Sequence, residues 1–200
     1  ADPALLGSYP PELKQIFGDA WPEFPADDFA LTKQAVDFVG INYYTRAVVK
    51  HDPDAYPLQA RPVRQAHRTH TETGWEVFEQ GLTDTLTGFK DRYGNIPLYI
   101  TENGSAFYDP PVVENGELDD PLRTNYLRKH LKALHGAIEA GVNLKGYYAW
   151  SLMDNLEWSL GFSKRFGLYH VDFATQQRTP KASARLYTQV IESNGAVLDD

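Results

Sequence analysis

The 200 residues carry 19 Lys and Arg against 27 Asp and Glu, a formal net charge of −8. That balance argues against nucleic acid as a partner, because such affinity rests on cations that neutralise phosphates. With no cysteine there can be no disulfide, no thiolate chemistry and no Cys-built zinc site; a reducing, cytoplasmic setting is expected. No apolar run approaches the roughly 18 residues of a membrane span, so no membrane partner is expected, and the length suits one domain over 1–200.

Residues 1–28 read as loop around a short amphipathic helix over 11–17, begun by Pro10 and Pro11 and stopped by Gly18. Val36 to Asn42 is a β-rich apolar run, the pattern of a buried strand. A polar, proline-bearing excursion loop follows from about 50 to 73. Phe78, Leu82, Leu86, Phe89 and Tyr93 then repeat at helical spacing over 77–93, ended by Gly94. Pro97 to Thr101 is a second strand, with a Gly- and Pro-rich loop reaching Asp120. Asp120 as N-cap and Pro121 in first position open a helix whose apolar face is Leu127, Leu131, Leu134 and Ile138, ended by Gly141. A third strand spans 144–152, and a last helix 180–193. Strands alternating with helices imply a parallel sheet with right-handed crossovers. Three such units cannot close a (β/α)8 barrel, which takes about 250 residues, so an open doubly wound sheet stays possible on this pattern alone. No G-x-G-x-x-G, P-loop or G-x-S-x-G occurs, which removes the usual dinucleotide, phosphate and serine-hydrolase signatures.

In parallel α/β architectures chemistry gathers where strands end at their carboxyl side. Those ends read Asn42-Tyr43-Tyr44-Thr45, Thr101-Glu102-Asn103-Gly104 and Trp150-Ser151-Leu152, with Asp154-Asn155-Leu156-Glu157-Trp158 just beyond. Aromatic residues make up 13% of the chain; most fill a core, and some suit a ligand with an apolar face and a polar rim, such as a sugar. A carboxylate among Tyr, Asn and Trp is what sugar hydrolysis requires: one group attacks or stabilises an oxocarbenium-like carbon while rings and amides hold the hydroxyls.

Ile100-Thr101-Glu102-Asn103-Gly104 resembles the nucleophile motif of family 1 glycoside hydrolases, the retaining β-glucosidases and their relatives. Around it stand Gly40-Ile41-Asn42-Tyr43-Tyr44, Gly74-Trp75-Glu76-Val77, Gly146 to Leu152, Asp154 to Trp158 and Lys164-Arg165-Phe166-Gly167-Leu168, in the family's order. The resemblance implies Glu102 as the nucleophile and Tyr44 as the hydroxyl bonded to it, a bond that favours the ionised carboxylate. It implies Glu157, assisted by Trp158, as the holder of hydroxyls on the far side of the sugar. Trp150 becomes the ring under the glycone and Trp75 the ring beside the leaving group, with Asn42 and Phe166 among the substrate-binding residues. Leu156 stands where relatives often have Phe, which alters packing behind Glu157. The substrate implied is a β-glucoside or related small sugar, with no cofactor and no metal.

Two further patterns carry less weight. Asn103-Gly104-Ser105 matches a glycosylation sequon, a coincidence in this context. His67 and His70 lie by the Arg-rich stretch 61–68 with no carboxylate at ligand spacing, so a solvated loop is expected and not a metal site.

A retaining glycosidase needs a second, protonated carboxyl group about 5 Å from the nucleophile. In the resembling family it lies in an Asn-Glu-Pro motif after the fourth strand, and this sequence has no Asn-Glu-Pro. From the residues alone Glu157 could be paired with Glu102 as the acid; the resemblance argues against it. The expectation is therefore the C-terminal part of a (β/α)8 barrel, strands six to eight, with the N-terminal part supplied by the same gene product or a separate chain. Ala1-Asp2-Pro3 reads as a cut in mid-protein and 194–200 as a natural tail. The rival expectation is a carbohydrate-binding or structural partial barrel without catalysis.

Overall fold

A computed structural model describes residues 1–110 and 115–198. In chain order it contains α1 (Asp2–Leu5), α2 (Pro11–Phe17), α3 (Ala26–Thr32), β1 (Val39–Asn42), β2 (Val49–His51), β3 (Ala60–Pro62), α4 (Gln80–Tyr93), β4 (Leu98–Asn103), α5 (Pro121–Glu139), β5 (Leu144–Ala149), β6 (Tyr169–Val171), β7 (Arg178–Pro180) and α6 (Ala182–Glu192). Strands β1, β4 and β5 form a parallel sheet in that order, with α4 and α5 as the crossovers. The core lies on one face: Leu82 and Leu86 of α4 and Leu127, Leu131 and Leu134 of α5 pack against Leu98 and Ile100 of β4. Each such Leu or Ile, fully buried, contributes about 1.5–3 kcal/mol. Helix α6 joins the same layer through Ala184 and Leu186, and its Tyr187 hydroxyl donates to the Tyr147 carbonyl at 3.1 Å.

Among the described residues the opposite face is largely open. Phe38 is 55% exposed and Tyr148 59%, and Thr101 points to the same open side. The buried strand expected from Val36 thus begins only at Val39, with Gly40 and Asn42 exposed. An apolar run of this kind suits two covered faces, and among the described residues one is covered. The helix expected from 77 starts at Gln80, because the Phe78 carbonyl is taken by the Tyr43 hydroxyl at 2.6 Å and the Val77 N–H by the Thr69 carbonyl. Asp120 and Pro121 do open α5, yet the Asp120 carboxylate caps no α5 N–H: it accepts bonds from the Arg123 and Thr124 side chains of α5 and, at the start of α6, from the Ser183 N–H at 2.8 Å. The third strand stops at Ala149, three residues early.

Three features escaped the periodicity. The expected loop over 50–73 contains the antiparallel β2–β3 hairpin, β6 and β7 form another, and α1 and α3 flank α2. The Asp2 carboxylate accepts bonds from Arg92 and Tyr93, pinning α1 to the C-terminal end of α4. Of the loop expected to reach Asp120, residues 111–114 lie outside the described residues, as do 199–200 of the tail. Among the described residues no helix is long and apolar enough to cross a membrane.

Candidate active site

Strand β4 alternates buried and open residues from Leu98 to Thr101, which would send Glu102 into the core. The register slips instead: Ile41 pairs with Ile100 but Asn42 pairs with Glu102, so one extra residue is accommodated in β4. Such a bulge re-aims a side chain. Here Glu102 is half-buried and Asn103, fully buried, takes the inward position. The Tyr44 hydroxyl, just past the end of β1, donates to Glu102 Oε2 at 2.7 Å. Burial pushes the Tyr44 hydroxyl pKa up, reinforced by this bond and by the charges of Glu102 and Glu157. It therefore remains a proton donor.

Two further rings pack around the Tyr44 ring. Tyr44 lies 5.1 Å from Trp75 and 6.3 Å from Phe166, and Trp75 lies 6.1 Å from Phe166, centroid to centroid. Phe166 is only 3% exposed, so in this chain it backs the other two rings and presents little surface of its own. Trp75 is held through its neighbour: Glu76, 7% exposed, takes a bidentate pair of bonds from Arg46 at 3.0 and 3.1 Å and one from Arg68 at 3.1 Å. The Arg46 bonds, with Arg68 assisting, hold the Glu76 carboxyl below its ordinary pKa against the opposing effect of burial.

Trp150 follows β5, and its N–H donates to the Asn103 carbonyl at 2.9 Å. A Cβ on residue 104 would lie 1.8 Å from the Trp150 carbonyl oxygen, so Gly104 alone permits this approach of two strand ends. Asn42 turns sideways within the sheet, accepting the Thr101 hydroxyl at 2.7 Å. Glu157 and Trp158 occupy a projecting loop; Glu157 is half-buried and Trp158 is 86% exposed. Tyr44, Glu102, Trp75 and Phe166 thus come together, Glu157 is near enough to act electrostatically on Tyr44, and Trp158 stands apart in solvent. The group can present a carboxylate, with a hydroxyl fixing its orientation, beside an aromatic wall.

Sequence reasoning missed two supports behind this surface. Asn103 gives one amide N–H to the Tyr43 carbonyl at 2.8 Å and one to the Tyr126 hydroxyl at 2.9 Å, and its oxygen accepts the Tyr147 hydroxyl at 2.9 Å. It ties β1, β5 and α5 to the residue after Glu102. The sequon was visible, but the amide is 0% exposed and closed to modification in the folded chain. The second support is ionic: Lys181, 0% exposed, bridges Asp109 at 2.8 Å and Asp154 at 3.1 Å, and Arg123 joins Asp109 to Asp120. Burial lowers the Lys181 pKa, and nearby Arg123 lowers it further. Asp109, Asp154 and His170 are close enough together to hold a cation, and the Lys181 ammonium already lies between the two carboxylates. His70 bonds through Nδ1 to the Arg68 carbonyl at 2.9 Å.

The sequence profile described as Glycosyl hydrolase family 1 matches residues 1–196. A 1,4-beta-D-glucan glucohydrolase of Thermotoga neapolitana is 42% identical over 194 residues, covering 97% of this chain and 43% of that protein. Beta-glucosidase 47 of Arabidopsis thaliana is 39% identical over 207 residues, covering 100% of this chain and 37% of its own length. Among solved structures, a family 1 b-glucosidase from Thermotoga maritima superposes with a TM-score of 0.90 at 41% identity, over 97% of this chain and 43% of that one. A structure of beta-glucosidase from Thermotoga maritima in complex with deoxynojirimycin matches with the same TM-score, identity and coverage. The chain spans less than half the length of these relatives.

Proposed function

The chain belongs to glycosyl hydrolase family 1 as part of its (β/α)8 barrel, and from that premise we propose that it carries the nucleophile side of a retaining β-glucosidase site. The observation that carries the reading is the 2.7 Å bond from the Tyr44 hydroxyl to Glu102 Oε2 at the carboxyl end of β4, beside Trp75 and Phe166.

In the first step an oxygen of Glu102 attacks the anomeric carbon of a terminal β-D-glycoside. A carbon–oxygen ester bond forms, the glycosidic bond breaks, and its electron pair goes to the leaving oxygen, which takes a proton from a carboxylic acid. Water then displaces Glu102 and the same acid, now a base, takes the water's proton. Tyr44, donating to Oε2, keeps Glu102 oriented for the attack. Glu157, in a loop near this pair and assisted by Trp158, accepts bonds from sugar hydroxyls, Trp150 offers a ring face to the glycone, Trp75 offers one to the leaving group, and Asn42 lines the floor. The proton donor is not a residue of this sequence, so the partner in catalysis is the remainder of the barrel, whether on the same gene product or another chain.

The test is Glu102→Gln in the chain assembled with an N-terminal part from a relative. Turnover of a nitrophenyl glucoside should fall by about three orders of magnitude or more with sugar binding retained. A variant that keeps more than about a tenth of the activity removes Glu102 from the role. Reversible sugar binding by an assembly that never turns over supports the non-catalytic alternative.

A further inference from the structure

The segment from Asp154 to Gly167 leaves the sheet after β5, carries Glu157 and Trp158 outward, and returns to the same place. Its two ends touch. A Cβ on residue 167 would lie 2.1 Å from the Asp154 nitrogen, so glycine is what lets the returning chain pass. The Asp154 N–H donates to the Tyr169 carbonyl at 3.0 Å. Its carboxylate, 0% exposed, accepts four bonds: Oδ1 from the Gly167 N–H at 2.9 Å and Lys181 Nζ at 3.1 Å, Oδ2 from Arg165 Nη1 at 2.7 Å and the Val171 N–H at 3.3 Å.

Outside bonds hold the two sides of the neck, from Asn155 to Ser151 and from Arg123 to the Arg165 carbonyl, but the tip over 156–162 has little to hold it. The Glu157 N–H donates to the Gly161 carbonyl at 2.8 Å and the Leu160 N–H to the Glu157 carbonyl at 2.8 Å, bonds that close within the loop itself. Leu156, Trp158 and Phe162 are 57%, 86% and 55% exposed. One ring contact, Phe162 to Phe173 at 4.6 Å, links the tip to the β6–β7 hairpin. Where Glu157 stands relative to Tyr44 is therefore decided at the neck, three residues upstream.

We propose that Asp154 is a positioning residue: by closing the neck of this loop it fixes Glu157 in register with the Tyr44–Glu102 pair. The proposal rests on the reading of Glu157 as the holder of sugar hydroxyls. Asp109 supplies the control. It is similarly buried and shares Lys181, but its own bonds run to Arg123, Lys181 and His170 and reach the loop only at one remove, through the Arg123 bond to the Arg165 carbonyl at 2.7 Å.

The experiment is amide hydrogen exchange on the full 200-residue chain as wild type, Asp154→Asn and Asp109→Asn. In Asp154→Asn, amides of 155–167 should exchange about tenfold faster while those of β4 and α5 stay within about twofold. Asp109→Asn should leave 155–167 as in wild type. Uniform acceleration along the chain, no acceleration, an equal effect of Asp109→Asn, or a wild-type loop already unprotected overturns the proposal.

A double-mutant cycle in the assembled barrel adds the functional readout. Asp154→Asn and Glu157→Ala should each lower kcat/KM on a glucoside, and the double variant should match Glu157→Ala within about threefold. Additive losses, or loss with Glu157→Ala but none with Asp154→Asn, overturn the positioning role. No loss with Glu157→Ala defeats the reading of Glu157 and leaves the exchange result to decide the neck.

Discussion

Replacing Lys181 by Met tests whether the ionic support is structural in the sense the distances suggest. The ammonium is 0% exposed and lies 2.8 Å from Asp109 and 3.1 Å from Asp154, whose side chains are 2% and 0% exposed. Met fills much the same volume but leaves two carboxylates facing each other with one cation fewer. Removing one partner of a buried ion pair costs about 3–5 kcal/mol, because the remaining charge stays desolvated. For a chain of this size about 2–4 °C is lost per kcal/mol, so the melting temperature should fall by about 6–20 °C. The loss should also depend on pH. Burial pushes the Asp109 carboxyl pKa up, but the charges of Arg123 and Lys181 outweigh it and hold the value below the ordinary 3.8. A carboxyl depressed in the folded state contributes stability above its unfolded pKa and loses it as pH falls through the folded value. The gap between wild type and Lys181→Met should therefore be widest near about pH 7 and narrow below about pH 4. Thermal melts followed by circular dichroism at several pH values measure it. A variant melting within about 3 °C of wild type near neutrality, or a gap that widens in acid, refutes the reasoning.

Other expectations follow from the site. Tyr44→Phe removes a bond to a charged acceptor worth about 1.5–3 kcal/mol, and in the assembled barrel kcat/KM should drop about ten- to a hundredfold; an unchanged value counts against the pair. Glu157→Ala should weaken glucosides and galactosides more than xylosides, which lack the C6 hydroxymethyl group, and equal losses would contradict its role. The 200-residue chain alone should show no measurable turnover, since absence of the general acid by itself costs about 10²–10⁴-fold. Its open sheet edges and exposed Phe38 and Tyr148 should make it bind hydrophobic dye or self-associate until an N-terminal part is supplied. A dye-silent monomer that hydrolyses nitrophenyl glucoside would point back to Glu157 as the acid.

What was legible in the sequence was what local chemistry decides. Asp120 and Pro121 mark the start of α5 to the residue, and Gly94 the stop of α4. The strand ends were legible too, because a polar, aromatic cluster directly after an apolar run marks where the chain leaves the sheet. The bulge that turns Glu102 outward was not, since register belongs to the pair of strands and not to β4 alone. Nor was the Asp109–Asp154–Lys181 group: its members come from separate loops, and a charge in a loop reads as solvated until the fold brings its partner. Asn103 misleads for the same reason, a surface sequon by pattern and a fully buried link between strands in the fold. The exposed face of β1 is not legible in its own composition, because whether an apolar run is covered depends on what packs against it and not on the run itself.

The most direct test is to trap the covalent step. The chain, assembled with an N-terminal part from a relative, is treated with a 2-deoxy-2-fluoro-β-glucoside bearing a dinitrophenolate leaving group, which departs without acid assistance. Intact mass should rise by one fluoroglucosyl group, and peptide mapping should place that group on Glu102. A label on any other carboxylate, or none in an assembly that binds the sugar, would contradict the assignment.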